Sequence, residues 1–340
     1  MFAKTAIVLP LAASLLEQVN AFSLHRHQHP VEKREVVWHT VFTTVYVTEG
    51  VDAPAATANA FVQDSKPAAP EVPAPAPAPT TLATAVKPTA ASSASPPSGT
   101  GLGFKKQGLA YNDANMANTF KKDCDGCDWG YNWASSPGDL DSSINYIPML
   151  WGDLPVHTSH WDADAEAALS KGAKALLSFN EPDMPTQANM APEAAAAAHA
   201  KYFSAYKGRA QIGAPAVSNS GQQGQGIQWL KSFVASCNAN PDCHFDFCPV
   251  HWYSEAQYAD TLFTHLKDAH EACGKPVWLT EFAPFGSDDQ ISDFMKTNLP
   301  KLDSLDYLQA YSYFMVAQNQ LMSSNSLLST IGKVYAAIAN

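Results

Sequence analysis

The stretch LLSFNEPDMP, residues 176–185, determines how the rest of the chain is interpreted. Its apolar residues end abruptly in Asn180, Glu181 and Pro182, which predicts a buried strand that carries an amide and a carboxylate at its carboxyl end. A charged glutamate is costly to bury after so apolar a strand unless it is paired or protonated. The meaning of Glu181 therefore depends on whether a second carboxylate ends another strand.

Seven further apolar runs lie between residues 103 and 340, and helical patterns separate many of them. They are GLAYN (108–112), WGYNWAS (129–135), NYIPMLWG (145–152), QIGAPAVS (211–218), FDFCPVHWY (245–253), PVWLTEFAP (276–284) and LQAYSYFM (308–315). Eight strands that alternate with helices over this length predict an α/β fold, the (β/α)8 TIM barrel, which usually has ~250 residues. A doubly wound open sheet is the alternative, but it favours a glycine-rich loop after its first strand, where this chain has GLAYNDANMANTF.

Carboxylates occur at the ends of the fourth and seventh predicted strands, as Glu181 and Glu281. In a barrel the carboxyl ends of the strands line the active site. Glycosidic-bond hydrolysis needs two such groups, one acid that protonates the leaving oxygen and one carboxylate that attacks carbon or activates water. A single glutamate would more readily cap a helix or pair with a surface lysine, but two of them among aromatic neighbours favour a catalytic pair.

The remaining strand ends are aromatic, amide or imidazole groups. Flat indole faces suit the C–H faces of pyranose rings, although each tryptophan could equally be a core residue. His251 is either a hydrogen-bonded strand residue or a group beside the second glutamate. The candidate substrate-binding residues are Asn180, Tyr253, Trp151, Trp133, Trp252, Tyr313, His251 and Tyr111.

Residues 1–21 read as a secretory signal peptide, since Lys4 precedes the apolar run AIVLPLAASLL and VNA ends at Ala21. The protein is thus expected outside the cell or in the cell wall. An N-terminal segment, residues 22–50, follows. Within it Lys33 and Arg34 form either a dibasic processing site or an ordinary charged pair.

Residues 51–102 are rich in Pro, Ala, Ser and Thr, which predicts a disordered, O-glycosylated linker before the barrel domain at 103–340. No apolar run is long enough to span a membrane. The net charge of −11 argues against nucleic acid as a partner and is compatible with a neutral polymer. We expect a monomer.

Six cysteines in a chain with a secretory signal suggest disulfides. The C-x-x-C spacing at Cys124 and Cys127 could indicate a metal or redox motif, but no second C-x-x-C or matching histidine pair accompanies it, so we expect no metal. Sequence does not determine the connectivity. Our assumed pairs are Cys124–Cys127, Cys237–Cys243 and Cys248–Cys273.

The stretches LLSFNEPD, GAPAVSN, FCPVHWY and VWLTEFA, in this order, resemble glycoside hydrolase family 128, the fungal alkali-sensitive-linkage group of endo-β-1,3-glucanases. The resemblance covers residues 103–340 and implies a clan A-like barrel that hydrolyses β-1,3-glucan with retention and without metal or cofactor. It also implies residue roles. Glu181 would be the general acid/base, Glu281 the nucleophile, Asn180 a contact to the sugar 2-hydroxyl, and Tyr253 a donor to Glu281.

The eighth strand departs from the family pattern, because Tyr313 in YSYF stands where a tryptophan platform is expected. Two other functions stay open at this stage. One is a non-catalytic glucan-binding wall protein on a barrel scaffold. The other is a hydrolase or transglycosylase for a different β-glucan linkage.

Overall fold

A computed structural model of the chain describes residues 6–10, 42–46 and 102–338. The chain divides into two units, Met1–Ser95 and Pro96–Asn340. In the first unit strand β1 (Ala6–Pro10) pairs antiparallel with β2 (Phe42–Tyr46). The predicted signal peptide, processing site and linker otherwise lie outside the described residues.

The second unit is built on eight parallel strands. They are β3 (Gln107–Tyr111), β4 (Trp129–Tyr131), β5 (Asn145–Tyr146), β6 (Ala175–Leu176), β7 (Gln211–Ile212), β8 (Cys248–Glu255), β9 (Val277–Phe285) and β10 (Leu308–Val316). Six of them form one sheet in the order β5-β4-β3-β10-β9-β8, and β6 pairs with β7. Single bridges between Met149 and Leu177 and between Gly213 and Phe247 join the two sheets into a ring. This closed ring confirms the predicted barrel.

Eight α-helices accompany the strands in the described part of this unit. They are α1 (Ala114–Lys121), α2 (Pro155–Thr158), α3 (Trp161–Ser170), α4 (Pro192–Phe203), α5 (Gly226–Asn238), α6 (Ala259–Cys273), α7 (Asp288–Asp303) and α8 (Thr330–Ile338). Single 3-10 turns lie at Ser204–Tyr206 and Ala256–Tyr258, and a small hairpin of β11 (Met322–Ser324) and β12 (Leu327–Leu328) precedes α8.

Local sequence explains where several helices begin and end. The Asp113 side chain accepts from the backbone N–H groups of the first turn of α1, and Ser287 forms a capping box with Gln290 at the start of α7. Pro192 occupies the first turn of α4, and Gly274 ends α6 in the left-handed conformation at φ 65°. These signals therefore determine the ends of four of the helices.

Three disulfides join the cysteines in the assumed pairs, Cys124–Cys127, Cys237–Cys243 and Cys248–Cys273. The third connects β8 to the end of α6. Among the described residues, no helix has both the length and the apolarity needed to cross a membrane.

Candidate active site

Glu181 follows β6, the fourth barrel strand, in a conformation that is rare for residues other than glycine. Its φ is 40°, a region that costs ~1–3 kcal/mol and is retained only where surrounding contacts hold it. Here the Glu181 N–H donates to Ala216 O at 2.8 Å, and the Met184 N–H donates to Glu181 O at 3.0 Å. These bonds present a largely buried carboxylate, 9% exposed, at the carboxyl end of the barrel.

Glu281 lies within β9, the seventh barrel strand, and is 5% exposed. Trp133 Nε1 donates to Glu281 Oε1 at 2.7 Å, and the Tyr253 hydroxyl donates to Glu281 Oε2. The Tyr131 hydroxyl donates to Thr280 O at 3.0 Å and lies 3.5 Å from Glu281 Oε1. The site therefore holds this carboxylate in one orientation with donors on both oxygens.

Burial raises the pKa of Glu281 above its ordinary value, and the charge of Glu181 acts in the same direction. The charge of His251 and the hydrogen bonds from Tyr253 and Trp133 oppose that rise. Burial also raises the pKa of Tyr253, so its phenol remains a proton donor.

His251 connects the two glutamates. Its Nδ1 lies 2.8 Å from Glu181 Oε1, and its Nε2 lies 3.4 Å from Glu281 Oε1, while the ring itself is fully buried. Burial lowers the pKa of His251, but the charge of Glu281 and the hydrogen bond and charge of Glu181 outweigh it, so the pKa lies above its ordinary value. The parallel pairing of β8 with β9 places His251 directly opposite Glu281.

One donor atom from each of Glu181, His251 and Glu281 lies within 4.8 Å of the other two. Three such groups could share a cation, which would compete with Trp133 and Tyr253 for the oxygens of Glu281. The same spacing puts a carboxylate oxygen of one glutamate within 4.8 Å of a carboxylate oxygen of the other. Two carboxylates this close can act on opposite sides of one bond.

The side-chain amide of Asn180 uses its nitrogen in a hydrogen bond and leaves its oxygen available to a ligand. Its Nδ2 donates to Gln187 Oε1 at 3.3 Å, whereas its buried Oδ1 has no hydrogen-bond partner among the described residues. Asn180 is 4% exposed and precedes Glu181. A buried acceptor without a partner is unfavourable, so this oxygen can accept a hydrogen bond from a ligand hydroxyl.

Two of the predicted tryptophans lie at the site in different ways. Trp133, at φ 58°, is 6% exposed and uses its N–H on Glu281 rather than presenting a flat face. Trp151 is partly exposed and packs against His157 with ring centroids 4.9 Å apart. Its backbone oxygen accepts from the Asn180 N–H at 2.9 Å, so Trp151 lies beside the amide and acid of the fourth strand.

The prediction for Trp252 is wrong. This residue is fully buried between the barrel and its helices, where Nε1 donates to Thr261 Oγ1 at 3.0 Å and the ring stacks on Phe294 at 5.6 Å. Side chains alternate along a strand, so once His251 and Tyr253 face the glutamates, the residue between them faces the helices.

The predictions for Tyr313 and Tyr111 are also wrong. Tyr313 packs edge-on against Phe282 at 5.4 Å and lies 5.9 Å from the Tyr335 ring of α8, so it faces the helical layer. Tyr111 is fully buried and donates to Pro137 O at 2.8 Å. Neither residue is placed beside the two glutamates.

Phe314 occupies the position expected of Tyr313. Its ring lies edge-on to Trp133 at 5.5 Å and to Tyr253 at 5.7 Å, the two residues that donate to Glu281. Sequence reasoning missed Phe314, together with Tyr131 and Asp183, whereas Asn219 was recognisable as the residue at the carboxyl end of the fifth predicted strand. Strand alternation could have identified Tyr131 from Trp133, which lies two residues further on the same face. The sequence around Phe314 and Asp183 contains no such signal.

Comparison with known proteins gives one family and several relatives. A model of the glycosyl hydrolase catalytic core matches residues 108–335. Alkali-sensitive linkage protein 1 of Schizosaccharomyces pombe (strain 972 / ATCC 24843) is 31% identical over 256 residues, which are 68% of this chain and 44% of that protein. The chain thus matches less than half the length of this relative.

Two solved structures share the barrel. One is a curdlan-specific exo-β-1,3-glucanase of family 128, subgroup III, from Blastomyces gilchristii in complex with glucose. It has a TM-score of 0.63 and 39% identity, and the match covers 70% of this chain and 99% of that chain. The other is a subgroup I endo-β-1,3-glucanase from Amycolatopsis mediterranei, a mutant form in complex with laminarihexaose, with a TM-score of 0.59 and 26% identity. Its match covers 68% of this chain and 98% of that chain.

Proposed function

The chain belongs to the glycosyl hydrolase catalytic core family, and from this premise we propose that it hydrolyses β-1,3-glucan with retention of configuration. It is a glycoside hydrolase, and its relatives confirm the resemblance to family 128. The observation that carries the proposal is the close approach of Glu181 and Glu281, whose oxygens lie within 4.8 Å. This supports retention, because retaining enzymes hold their carboxyl groups ~5–5.5 Å apart and inverting enzymes ~6.5–9.5 Å apart.

In the first step Glu181 transfers its proton to the glycosidic oxygen while Glu281 attacks the anomeric carbon. The bond to the leaving sugar breaks, and an ester forms between Glu281 and the remaining sugar. The donors Trp133 and Tyr253 support the nucleophile role, since they hold Glu281 in one orientation and favour its ionised form.

In the second step Glu181, now a carboxylate, accepts a proton from water as the water oxygen attacks the anomeric carbon. The ester breaks, Glu281 regains its charge, and the sugar leaves with its original configuration. His251 can orient Glu181 in both steps, because its ring is held in strand β8 and its Nδ1 contacts Glu181 Oε1.

The substrate class rests on the relatives and on two groups of the site. The two solved structures compared above are both β-1,3-glucanases. Asn180 Oδ1 is available to accept from the sugar 2-hydroxyl, and Trp151, a partly exposed aromatic residue, is joined to Asn180 through its backbone oxygen. The relatives include one exo-acting and one endo-acting enzyme. The endo mode therefore stays a prediction, and the first products from laminarihexaose assign it.

The test compares Glu281→Gln with the wild type on laminarihexaose. We expect the substitution to lower the turnover number by at least about a thousandfold, because amide nitrogen cannot replace the attacking carboxylate. Glu255→Gln, at the exposed end of β8, is the control and should retain full activity. Proton NMR of the first product should show the β-anomer. Unchanged sugar release by Glu281→Gln would refute the nucleophile role of Glu281, a wild type that binds laminarihexaose without releasing sugar would support a binding protein instead, and an α-anomer would contradict retention.

We also propose that the protein is secreted, on the basis of the signal peptide predicted for residues 1–21. N-terminal sequencing of protein recovered from culture medium should begin at Phe22, or at Glu35 if the dibasic pair is processed. Recovery only from cell extracts with Met1 intact would contradict the proposal.

A further inference from the structure

Asp183 is a buried carboxylate, 7% exposed, that the two catalytic steps do not use. Its Oδ1 accepts from the Ser218 N–H at 3.2 Å. Its Oδ2 accepts from the Ser218 hydroxyl at 2.5 Å and from the Gly226 N–H at 2.9 Å. Three donors from one segment offset the cost of burying this charge. Because Asp183 lies two residues after Glu181, it connects the acid/base to the segment that follows β7, residues 218–226, which we call the brace loop.

The brace loop has a conformation that depends on glycine at its end. Gly226 has φ 54°, and a Cβ at this position would come within 2.3 Å of Ser220 O. Within the loop the Ser220 N–H donates to Ser218 Oγ at 3.2 Å, and Ser220 Oγ donates to Gln225 Oε1 at 2.5 Å. The loop is therefore held internally as well as through Asp183.

Asn219, next to Ser218 in the brace loop, binds the backbone of the residue that orients the nucleophile. Its Nδ2 donates to Tyr253 O at 3.0 Å, and its Oδ1 accepts from the Tyr253 N–H at 3.2 Å. One side-chain amide thus satisfies both backbone groups of Tyr253, which requires a donor and an acceptor on the same side chain. The phenol of Tyr253 in turn donates to Glu281.

We infer that Asp183 and Asn219 are positioning residues, and that the brace loop ties the acid/base and the nucleophile to one element and so sets their separation. The inference rests on the proposed hydrolysis. Asp183 acts through the backbone of the Glu181 turn, and Asn219 acts through Tyr253. A displacement of the reacting groups by 1 Å can lower the rate about 100-fold. The hydrogen bonds through the brace loop should therefore affect turnover.

A double-mutant cycle tests the role of Asn219. In the wild type Asn219→Ala should lower kcat/KM on laminarihexaose by about 10-fold to 100-fold. In a Tyr253→Phe background the same change should cost less than about threefold, because the contact that it positions is already absent. Asn219→Asp keeps the acceptor and should give an intermediate loss. Asn240→Ala is the control and should leave kcat/KM unchanged. The Asn240 side chain accepts from the Asp242 N–H in a separate loop. An equal loss in both backgrounds would overturn the role of Asn219.

Leaving-group dependence tests the role of Asp183. The kcat/KM of aryl β-laminaribiosides reports the first step, in which poor leaving groups need the acid and good ones do not. Asp183→Asn should therefore lower kcat/KM for a phenyl glycoside by about 100-fold and leave a dinitrophenyl glycoside within about threefold. Ser218→Ala removes one donor only and should show the same pattern with a smaller loss, which covers the case in which Asp183→Asn does not fold. An equal loss for all leaving groups would overturn this role.

The two failures can be told apart. A wild-type protein that does not cleave laminarihexaose refutes the proposed function itself. A wild type that cleaves it with retention, combined with additive or leaving-group-independent losses in the variants, refutes only the positioning roles.

Discussion

Replacing Tyr253 by Phe removes a single hydroxyl beside the proposed nucleophile and leaves the ring in place. That hydroxyl donates to Glu281 Oε2, while Trp133 donates to the other oxygen at 2.7 Å. A hydrogen bond to a charged group contributes about 1.5–3 kcal/mol. Since 1.36 kcal/mol is a factor of ten in rate, the substitution should lower kcat/KM by about 10-fold to 150-fold.

The pH dependence of Tyr253→Phe provides a second, independent readout. The hydrogen bond from Tyr253 opposes the rise that burial imposes on the pKa of Glu281. Its removal raises that pKa further, so the acid limb of kcat/KM should move to higher pH. Reducing-sugar release from laminarihexaose, measured across the acid and neutral range, gives both quantities.

A matched control is Tyr258→Phe, because Tyr258 is 51% exposed and lies in the 3-10 turn that follows β8. It should reproduce the wild-type rate and pH profile. A Tyr253→Phe variant with wild-type kcat/KM and an unmoved acid limb would refute the assigned contact to Glu281.

Three further predictions concern pH and stability. Because burial raises the pKa of Glu281, wild-type kcat/KM should fall as pH drops toward a midpoint above 4.5, and a midpoint below 4.5 would contradict this. Burial lowers the pKa of His199 to about 4, so the unfolding free energy should decrease as pH falls from 6.5 toward 4, by about 3 kcal/mol at most. Urea unfolding should show this decrease in the wild type and a smaller one in His199→Gln. Replacing Cys248 and Cys273 by Ala removes a disulfide with a sequence separation of 25 and should lower the free energy of unfolding by about 3.5 kcal/mol. Removing Cys237–Cys243, with a separation of 6, should lower it by about 2 kcal/mol. Thermal unfolding compares the two variants, and a larger loss for the shorter separation would contradict the chain-entropy argument.

The barrel was predictable because its strands are local features. Each is a short apolar run between helical patterns, and all eight runs lie on or next to a barrel strand of the structure. Glu181 and Glu281 could be identified for the same reason, since a carboxylate directly after so apolar a run is conspicuous without knowledge of its neighbours. The carboxyl ends of parallel strands in a barrel meet at one face, so the meeting of the two glutamates followed from the fold class.

The aromatic residues were less predictable, because their direction depends on the strand rather than on composition. In β8 the sequence HWY offers three candidates, but alternation allows only His251 and Tyr253 to face the site. In β10 the site receives Phe314, and Tyr313 faces α8. Residue type alone does not show which side chains of these irregular strands face the site, because both faces of a barrel strand are apolar.

The amino-acid sequence by itself determined the eight strands, the helices between them and the two carboxylates at the carboxyl ends, because these depend on patterns within about ten residues. The family resemblance implied Tyr253 as a donor to Glu281, and only the tertiary structure decided which other groups hold those carboxylates. Trp133 reaches Glu281 across 148 residues of chain, His251 reaches Glu181 across 70, and Asn219 reaches Tyr253 across 34. Such contacts depend on the closure of the ring and on the loop that Asp183 anchors. Hydrogen-bond geometry requires atoms to approach within about 3 Å, and no local pattern encodes a distance of that kind.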